Sequence, residues 1–446
     1  MVKIGLEVHS YLKTNEKLFC TCKTNYQRVK PNLNICETCT GMPGNKPMLP
    51  NKAAVEKCIA IGLMLGCKIN KEFLFQRKHY DWSDLPNGYQ KTISGAYSVP
   101  VGEKGKFLGI NIREVHLEED PAKWDPRTGY VDYNRSGMPL IEIVTEPEFK
   151  EPEEVRKWLR NLVITMGYIK AIDKDAGVKC DVNISSGGER VEIKNLNSLW
   201  SIVRAIEYEI ERQKTGEVVR ETRAFVEKEK VTVSMRSKEA VADYRFIPDP
   251  DLVIIDAKDV EKIKKSIPEL PHKKVEKYIK YLKVEEKDAK VLTADILLAE
   301  LFEKVAKKID PKLAVRWLVR EIPRVLHYNK KNLEDLEIDE SHIIELLDLL
   351  HRKKITETTA QKILEKLIEK PFSVKDYVAK EGLVAEFSSE KLERICKEVI
   401  KENNKAVEDY KQGREESLHF LMGQVMRKTK GTADPEVVKK VLKKLL

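Results

Sequence analysis

"KCDVNISSGGERVEIKN", residues 179–195, predicts a β-hairpin and with it the fold of the first half of the chain. Gly187 and Gly188 supply a tight turn between two runs in which apolar and polar residues alternate. This alternation directs the polar side chains of both strands to one face of the sheet. They are Asp181, Asn183 and Ser185 on the first strand and Arg190, Glu192 and Lys194 on the second. We therefore expect a sheet with one apolar face and one strongly polar face.

The N-terminal strand repeats this pattern. In "IGLEVH", residues 4–9, a period of two puts Ile4, Leu6 and Val8 on one face and Glu7 and His9 on the other. A carboxylate and an imidazole thus share the polar face of the first strand.

Further carboxylates stand among apolar residues. "PLIEIVTEPE", residues 139–148, sets Glu142 between two isoleucines and Glu146 four positions later, which we expect on the same strand face. A buried ionised carboxylate is costly unless it is paired or bound to a cation. "REVHLEED", residues 113–120, adds a histidine and more acids. Together with Glu7 and His9, these oxygen and imidazole groups suit magnesium or manganese.

Two alternatives require no metal. Glu142 and Glu146 would pair with Arg135 or Arg113 in an internal salt-bridge network, and residues 118–120 would form a solvated turn. The sequence contains neither G-x-x-x-x-G-K-[ST] nor a strand-linked G-x-G-x-x-G, so a nucleotide would be bound by another architecture.

Four of the eight cysteines form a C-x-C…C-x-x-C arrangement at Cys20, Cys22, Cys36 and Cys39. Thiolates at this spacing can close a tetrahedral zinc site, and the intervening loop has little apolar content that would give it a core. We expect structural zinc. The alternatives are four reduced thiols without metal and, with less support, a redox pair.

The predicted fold class is α+β. Strands interrupted by helices near 152–166 and 198–212 form the first domain, residues 1–265, which contains the zinc-binding loop 20–39. From about Pro268 the apolar residues recur with a period of 3.6, which predicts an all-helical domain at 266–372 and a small helical tail domain at 373–446. Asp434 and Pro435 are the expected N-cap and first residue of the last helix.

Length and charge restrict the class of protein. A chain of 446 residues favours two or three domains, and its formal net charge of +9 helps nucleic-acid binding without establishing it. The sequence has neither an apolar run of membrane-spanning length nor a signal-peptide pattern, so we expect a cytoplasmic protein without membrane contact.

Several motifs occur together and in a fixed order. They are "IGLEVHSYLKTNEKLFC", the cysteine cluster followed by "TGMPGNKPMLP", "DLPNGYQ", "HLEEDPAK", "VDYNRSGMPLIEIVTEPE", "RVEIKNLNS" and "SMRSKEAVADYRF". In this order the chain resembles the B subunit of the bacterial and archaeal aspartyl/glutamyl-tRNA amidotransferase, from end to end. A related archaeal protein with the same cradle resembles it less, because that protein carries a large insertion before its helical part.

The resemblance implies an N-terminal mixed or antiparallel β cradle similar to the glutamine synthetase catalytic fold. It also implies a heterotrimer in which the A subunit, an amidase, hydrolyses glutamine, a small C subunit is the third member, and ammonia passes to the B subunit. The B subunit would use ATP to phosphorylate the side-chain carboxylate of Glu-tRNA(Gln), Asp-tRNA(Asn) or both, the misacylated tRNAs that the complex repairs.

The resemblance also implies roles for particular residues. Magnesium would be held by Glu7, His9, Glu119 and Glu142, with Glu146 beside them in the cofactor-binding set. Arg135, Lys194, Arg236 and Arg245 would neutralise phosphate or, alternatively, pair with the acids. The chain departs from the family pattern beside this site at His79, Asp81 and Pro121.

For the tail, the resemblance favours tRNA contact. Four lysines share one face of the last helix: Lys439, Lys440, Lys443 and Lys444. The alternative is an ordinary solvated helix face. For the whole chain, the alternative function is a zinc-stabilised RNA-binding or assembly protein whose acidic cluster is structural and which catalyses nothing.

Overall fold

The fold is described by a computed structural model that covers residues 1–173, 177–216, 218–237, 244–331, 333, 338–384, 389–429, 431 and 433–446. The side chains of Arg28, Asn195, Arg236, Ser237, Ser389 and Glu390 lie outside this description. The chain divides into two units, Met1–Leu270 and Pro271–Leu446. The expected α+β class, a mixed sheet followed by helices, is confirmed. The predicted boundaries at 265 and 372 stay predictions.

The first unit is built on strands. In chain order they are β1 (Val2–Tyr11), β2 (Lys68–Ile69), β3 (Glu72–Phe73), β4 (Gln76–His79), β5 (Tyr89–Thr92), β6 (Gly102–Phe107), β7 (Ile110–Glu119), β8 (Lys123–Trp124), β9 (Val131–Asp132), β10 (Pro139–Thr145), β11 (Val178–Ser186), β12 (Val191–Leu196), β13 (Glu221–Val226), β14 (Val231–Ser237), β15 (Arg245–Pro248) and β16 (Ile255–Asp256).

One large sheet has the order β14-β13-β12-β11-β1-β10-β7-β5-β4-β15, and β6 joins it beside β7 and carries β2. Of its described pairs, β12 with β13 is parallel and the others are antiparallel. The predicted hairpin is present as β11 and β12, and Gly187 between them takes φ of 100°, which an L side chain rarely adopts. The N-terminal strand β1 lies between β11 and β10, in the middle of the sheet.

One face of the sheet is apolar and packed. Ile4, Leu6 and Val8 of β1 are at most 1% exposed, as the period of two predicts. They belong to a core that also includes residues of the helices α1 (Lys52–Met64), α2 (Pro152–Tyr168) and α3 (Leu199–Thr215). The opposite face of the sheet carries the polar side chains.

The two predicted helices within this unit are confirmed and have physical start signals. Helix α2 begins with Pro152 at its first position and a reciprocal capping box between Glu151 and Glu154. Helix α3 is capped by Ser198, whose side chain accepts a hydrogen bond from the Ser201 amide. A short helix, α4 (Val260–Ser266), follows β16.

The second unit is helical. Its helices are α5 (Pro271–Leu282), α6 (Glu286–Leu292), α7 (Ile296–Val305), α8 (Pro311–Arg316), α9 (Ile322–Tyr328), α10 (Glu340–His351), α11 (Glu357–Glu369), α12 (Val374–Lys380), α13 (Ser389–Glu402), α14 (Asn404–Lys411), α15 (Glu416–Lys428) and α16 (Pro435–Leu445). A π-helical turn, Trp317–Glu321, joins α8 to α9, and a 3₁₀ turn, Tyr26–Arg28, lies in the first unit.

The buried residues of the second unit form two hydrophobic clusters, one within 278–378 and one within 392–442. The last helix starts as predicted, because Asp434 accepts hydrogen bonds from the amides of Glu436 and Val437 and Pro435 is its first residue. None of the helices in the described part of the chain is long and apolar enough to cross a membrane.

Candidate active site on the polar face of the sheet

A cavity of about 200 Å³ opens on the polar face, where β7, β10, β1, β11 and β12 lie side by side. The registers bring its side chains together, since His9 lies opposite Glu142 on the next strand and Glu142 lies opposite His116 on the strand beyond. On the other side of β1, Glu7 lies opposite Asp181. The cavity is lined by Glu7, His9, Lys78, Gln90, Glu118, Asp120, Leu140, Glu142, Lys179, Asp181 and Lys194.

Glu142 lies between two imidazoles. His116 Nδ1 is 2.6 Å from Glu142 Oε2, and His9 Nε2 is 3.4 Å from Glu142 Oε1. Burial by itself raises the pKa of Glu142, but hydrogen bonds from the two histidines hold that pKa well below its ordinary value. Burial lowers the pKa of His9, yet the hydrogen bond and charge of Glu142, with the charge of Glu118, outweigh it and raise the pKa to about 9. Without a metal, a protonated His9 balances part of the negative charge.

Negative charge is nevertheless in excess. The wall of the cavity presents five carboxylates against three lysine ammonium groups. Burial and the charge of Glu142 raise the pKa values of both Glu7 and Glu118. Carboxylates whose charged form is disfavoured by their own neighbours are the expected condition of a cation site described without its cation.

A second group of acids shares Glu7 with the first. One ligand oxygen each of Glu7, Asp181 and Glu192 lies within 4.8 Å of the others. The Lys194 ammonium lies among them, 2.9 Å from Asp181 Oδ2 and 2.7 Å from Glu192 Oε1. The two groups make a continuous charged surface across β10, β1, β11 and β12.

Known protein families account for this arrangement. Residues 2–262 match the family model described as the GatB/GatE catalytic domain, and residues 300–446 match the model described as the GatB domain. The chain belongs to the family of aspartyl/glutamyl-tRNA amidotransferase B subunits.

Three relatives, each named as the B subunit of the aspartyl/glutamyl-tRNA(Asn/Gln) amidotransferase, illustrate the similarity. The protein of Methanothermobacter thermautotrophicus is 46% identical over 99% of this chain and 99% of its own length. Those of Methanocaldococcus jannaschii and Methanococcus maripaludis are each 45% identical, over 100% and 99% of this chain and 98% of their own lengths. The predicted membership of the B-subunit family is therefore confirmed along the whole chain.

The structure brings together four of the residues that the resemblance to the B-subunit family implicates: Glu7, His9, Glu142 and Lys194 line one cavity. Glu119 faces away from it. Its Oε1 atom accepts hydrogen bonds from the Lys91 backbone amide at 3.1 Å and from Lys91 Nζ at 3.0 Å. Its neighbour Glu118 faces the cavity instead, with Oε1 3.8 Å from His9 Nε2.

Glu146 does not share the face of Glu142, and this expectation was wrong. Strand β10 ends at Thr145, and its register with β7 shifts between Val144 and Thr145, so the alternation of faces is broken before Glu146. The Glu146 carboxylate forms a two-bond pair with Arg113, at 3.0 Å to Nε and 2.8 Å to Nη2. For Glu146 the alternative of a salt bridge with Arg113 therefore holds.

The predicted arginines have different positions. The Arg135 guanidinium is 3.2 Å from Asp120 Oδ2 and donates to the Pro121 carbonyl, so it supports the cavity wall from behind. Arg245 is exposed on the edge strand β15, opposite His79, and is not among the described residues that line the cavity. Arg236 is in β14, but its side chain lies outside the described part of the structure.

The sequence analysis did not assign Glu118, Asp181 and Glu192 to a metal site. Their signal was available in the period of two, because His116, Glu118 and Asp120 alternate along one strand face. Asp181 and Glu192 stood on the predicted polar face of the hairpin, but only the pairing of β11 with β1 brings them to Glu7.

The four cysteines form a separate cluster. One sulfur from each of Cys20, Cys22, Cys36 and Cys39 lies within 4.8 Å of the others, and the Cys36 and Cys39 sulfurs are 3.9 Å apart. A tetrahedral Zn²⁺ with bonds of about 2.3 Å requires sulfurs about 3.8 Å apart, so the cluster fits a metal. Lys17, only 1% exposed, points its Nζ at the Cys39 sulfur at 3.4 Å. Hydrogen bonding from Cys20 and the nearby Lys17 charge lower the pKa of Cys39 to about 5, against the effect of burial.

Proposed function

We propose that this chain activates the side-chain carboxylate of glutamate or aspartate carried on tRNA by transferring the γ-phosphate of ATP to it. The observation that carries the proposal is the cavity around Glu142, where two imidazoles and further carboxylates converge in a member of the B-subunit family. The printed name of the relatives gives the substrate class, aspartyl- or glutamyl-tRNA.

Magnesium fits the donor set of this cavity. Oxygen ligands with an occasional imidazole are what a hard divalent cation prefers, and the excess of carboxylates over ammonium groups provides the charge. We propose that Glu7, His9, Glu118 and Glu142 hold the ion, with Glu118 in the role that the resemblance gave to Glu119. When bound, magnesium neutralises ATP phosphates so that a second anion can approach them.

The protein's own cations complete the neutralisation. Lys78, Lys179 and Lys194 line the cavity from β4, β11 and β12. Lys194 is held in place by its two carboxylate partners, and Lys179 Nζ lies 4.0 Å from Asp120 Oδ2. Fixed ammonium groups at a phosphate site need no reorganisation as charge moves during transfer, which is how preorganised electrostatics lowers a barrier.

The chemistry explains why ATP is needed. A carboxylate oxygen attacks the γ-phosphorus, the bond from that phosphorus to the bridging oxygen breaks, and ADP leaves with its electron pair. Ammonia then attacks the carbonyl carbon of the mixed anhydride, and phosphate departs with the oxygen that came from the carboxylate. Each step replaces a poor leaving group by a good one, and His9, once deprotonated, is positioned to bind a cation rather than to move a proton.

The ammonia would come from a glutaminase, the A subunit, in a heterotrimer with a small C subunit. The name of the relatives, which makes each of them one lettered member of an enzyme, supports a complex of several subunits. We also propose that the four-cysteine cluster binds structural Zn²⁺, because the sulfur separations fit the metal and the surrounding loop has few apolar residues.

The test follows γ-phosphate release from ATP by the co-purified complex, with and without glutamyl-tRNA(Gln) and aspartyl-tRNA(Asn). We expect release that depends on a charged tRNA and falls at least 100-fold in Glu142→Gln, while tRNA affinity is kept. Glu146→Gln is the matched control, because its carboxylate pairs with Arg113 away from the cavity. Binding of both tRNAs without any phosphate release would favour a zinc-stabilised RNA-binding or assembly protein instead.

A further inference from the structure

The motif "DLPNGYQ" begins at Asp84 and has no role in the site described so far. Its loop runs along the edge of the cavity, because the Asp84 carbonyl accepts a hydrogen bond of 2.9 Å from the Ala122 amide, two residues beyond Asp120 of the cavity wall. Burial raises the pKa of Asp84, and the charges of Arg135, Asp120 and Lys179 act on it as well. The Asp84 carboxylate therefore lies beside the lining of the cavity.

Asp84 has an unmet hydrogen-bonding capacity. Its Oδ1 atom is buried, and no group in the described part of the chain donates a hydrogen bond to it. A buried carboxylate oxygen without a donor costs free energy, so such an atom at the edge of a cavity suits a donor on a ligand.

Two tryptophans stand next to this carboxylate. Trp82 is 55% exposed although it is a large apolar side chain, and its ring meets Trp124 edge to face with centroids 5.6 Å apart. Trp124 follows Asp120 and Ala122 on β8, so both rings belong to the rim of the cavity. An exposed, fixed aromatic ring is the kind of surface on which an unpaired nucleic-acid base stacks.

We propose that Trp82, Trp124 and Asp84 bind the aminoacylated 3′-terminal nucleoside of tRNA, whose base stacks on Trp82 while its amino acid's ammonium group donates to Asp84. This inference rests on the proposed function, which puts the side-chain carboxylate of the same amino acid in the cavity. The aminoacyl nucleoside places a cation between that carboxylate and the base, which matches the order of cavity, Asp84 and Trp82. ATP places three phosphates there, which a carboxylate without a cation partner repels.

The test measures tRNA affinity of the full chain in its complex without ATP, so that it reads out even if no phosphate is transferred. Three tRNA forms are compared: uncharged, lacking the terminal adenosine, and carrying glutamate through an amide that resists hydrolysis. The wild-type protein should bind the uncharged tRNA about 5- to 100-fold more tightly than the shortened form, the range expected for one stacked base. Trp82→Ala should reduce that ratio to near one, and Trp82→Phe should restore most of it.

Asp84→Asn should keep the preference for the terminal base but lose the preference for charged over uncharged tRNA. Matched controls are Trp200→Ala, which removes another exposed tryptophan, and Asp256→Asn, an exposed carboxylate on β16. Unchanged ratios in Trp82→Ala or Asp84→Asn would overturn the proposal. A raised KM for ATP with unchanged tRNA ratios would assign the ring to the ATP base, and failure of the complex to assemble in Trp82→Ala would assign it to a protein interface. Either result would also overturn it.

Discussion

Replacing Glu142 by Gln should change the titration of His9 more than that of any other histidine. Gln keeps the shape of the side chain but removes the anion that lies 3.4 Å from His9 Nε2 and 2.6 Å from His116 Nδ1. Burial, which lowers the pKa of His9, remains in the variant, whereas the main causes that raise it are gone. We expect the His9 pKa to fall from about 9 to below 6.5.

The magnitude follows from the same values. The difference between 6.5 and about 9, at about 1.4 kcal/mol per pKa unit, corresponds to about 3 kcal/mol. Because the folded-state pKa is the higher one, this stabilisation is fully present below pH 6.5 and is lost as pH rises through about 9. His116 should respond less than His9, since it keeps a second partner in Glu114 at 3.1 Å.

The assay is NMR titration of the protein with 13C-labelled histidine and a chelator to exclude divalent cations. The chain has eight histidines, and His9→Gln and His116→Gln assign the two signals. Glu146→Gln serves as the control for loss of a carboxylate outside the cavity. A wild-type His9 that titrates near 6.5, or one whose pKa is the same in Glu142→Gln, would refute the reasoning.

Four other predictions concern different parts of the molecule. Glu118→Gln should lower tRNA-dependent phosphate release at least tenfold, whereas Glu119→Gln, whose carboxylate binds Lys91 on the other face, should lower it less; the reverse order would contradict the strand parity. Cys39→Ser should reduce bound zinc, measured by metal analysis, well below one ion per chain, and a wild-type protein without zinc would contradict the cluster assignment. Glu209→Gln should cost about 3–5 kcal/mol in urea unfolding of the first unit, because this fully buried carboxylate pairs with an arginine at 2.6 Å; a cost under about 1 kcal/mol would count against it. Exchanging the four lysines of α16 for Gln should weaken tRNA binding and flatten its salt dependence, and an unchanged slope would indicate a merely solvated helix face.

Local chemistry made much of the fold predictable. The alternation on either side of Gly187 identified β11 and β12, and Ser198 and Asp434 marked where helices begin. These signals act over a few residues, so they are visible in one sequence.

Long-range order was not predictable in this way. The sheet places β1 between β10 and β11, partners more than 130 residues away in the sequence, and only this order brings Glu7 next to Asp181. Nothing in the local pattern of either strand specifies its neighbour.

The site was predicted in part for the same reason. The acids at Glu7 and Glu142 stood out because they alternate with apolar residues, and the cavity contains both. Where the alternation is interrupted, at the end of β10, the prediction for Glu146 failed. The choice between Glu118 and Glu119 depends on strand parity, which the resemblance alone did not supply.

The most direct test of the central claim follows an oxygen atom. Glutamyl-tRNA(Gln) and aspartyl-tRNA(Asn) are prepared with 18O in the side-chain carboxylate and given to the complex with ATP and glutamine, and the released phosphate is analysed by mass spectrometry. Phosphorylation of the carboxylate predicts one 18O in phosphate for each amide formed. Amide formed without 18O in the phosphate, or with the label in AMP, would contradict the claim.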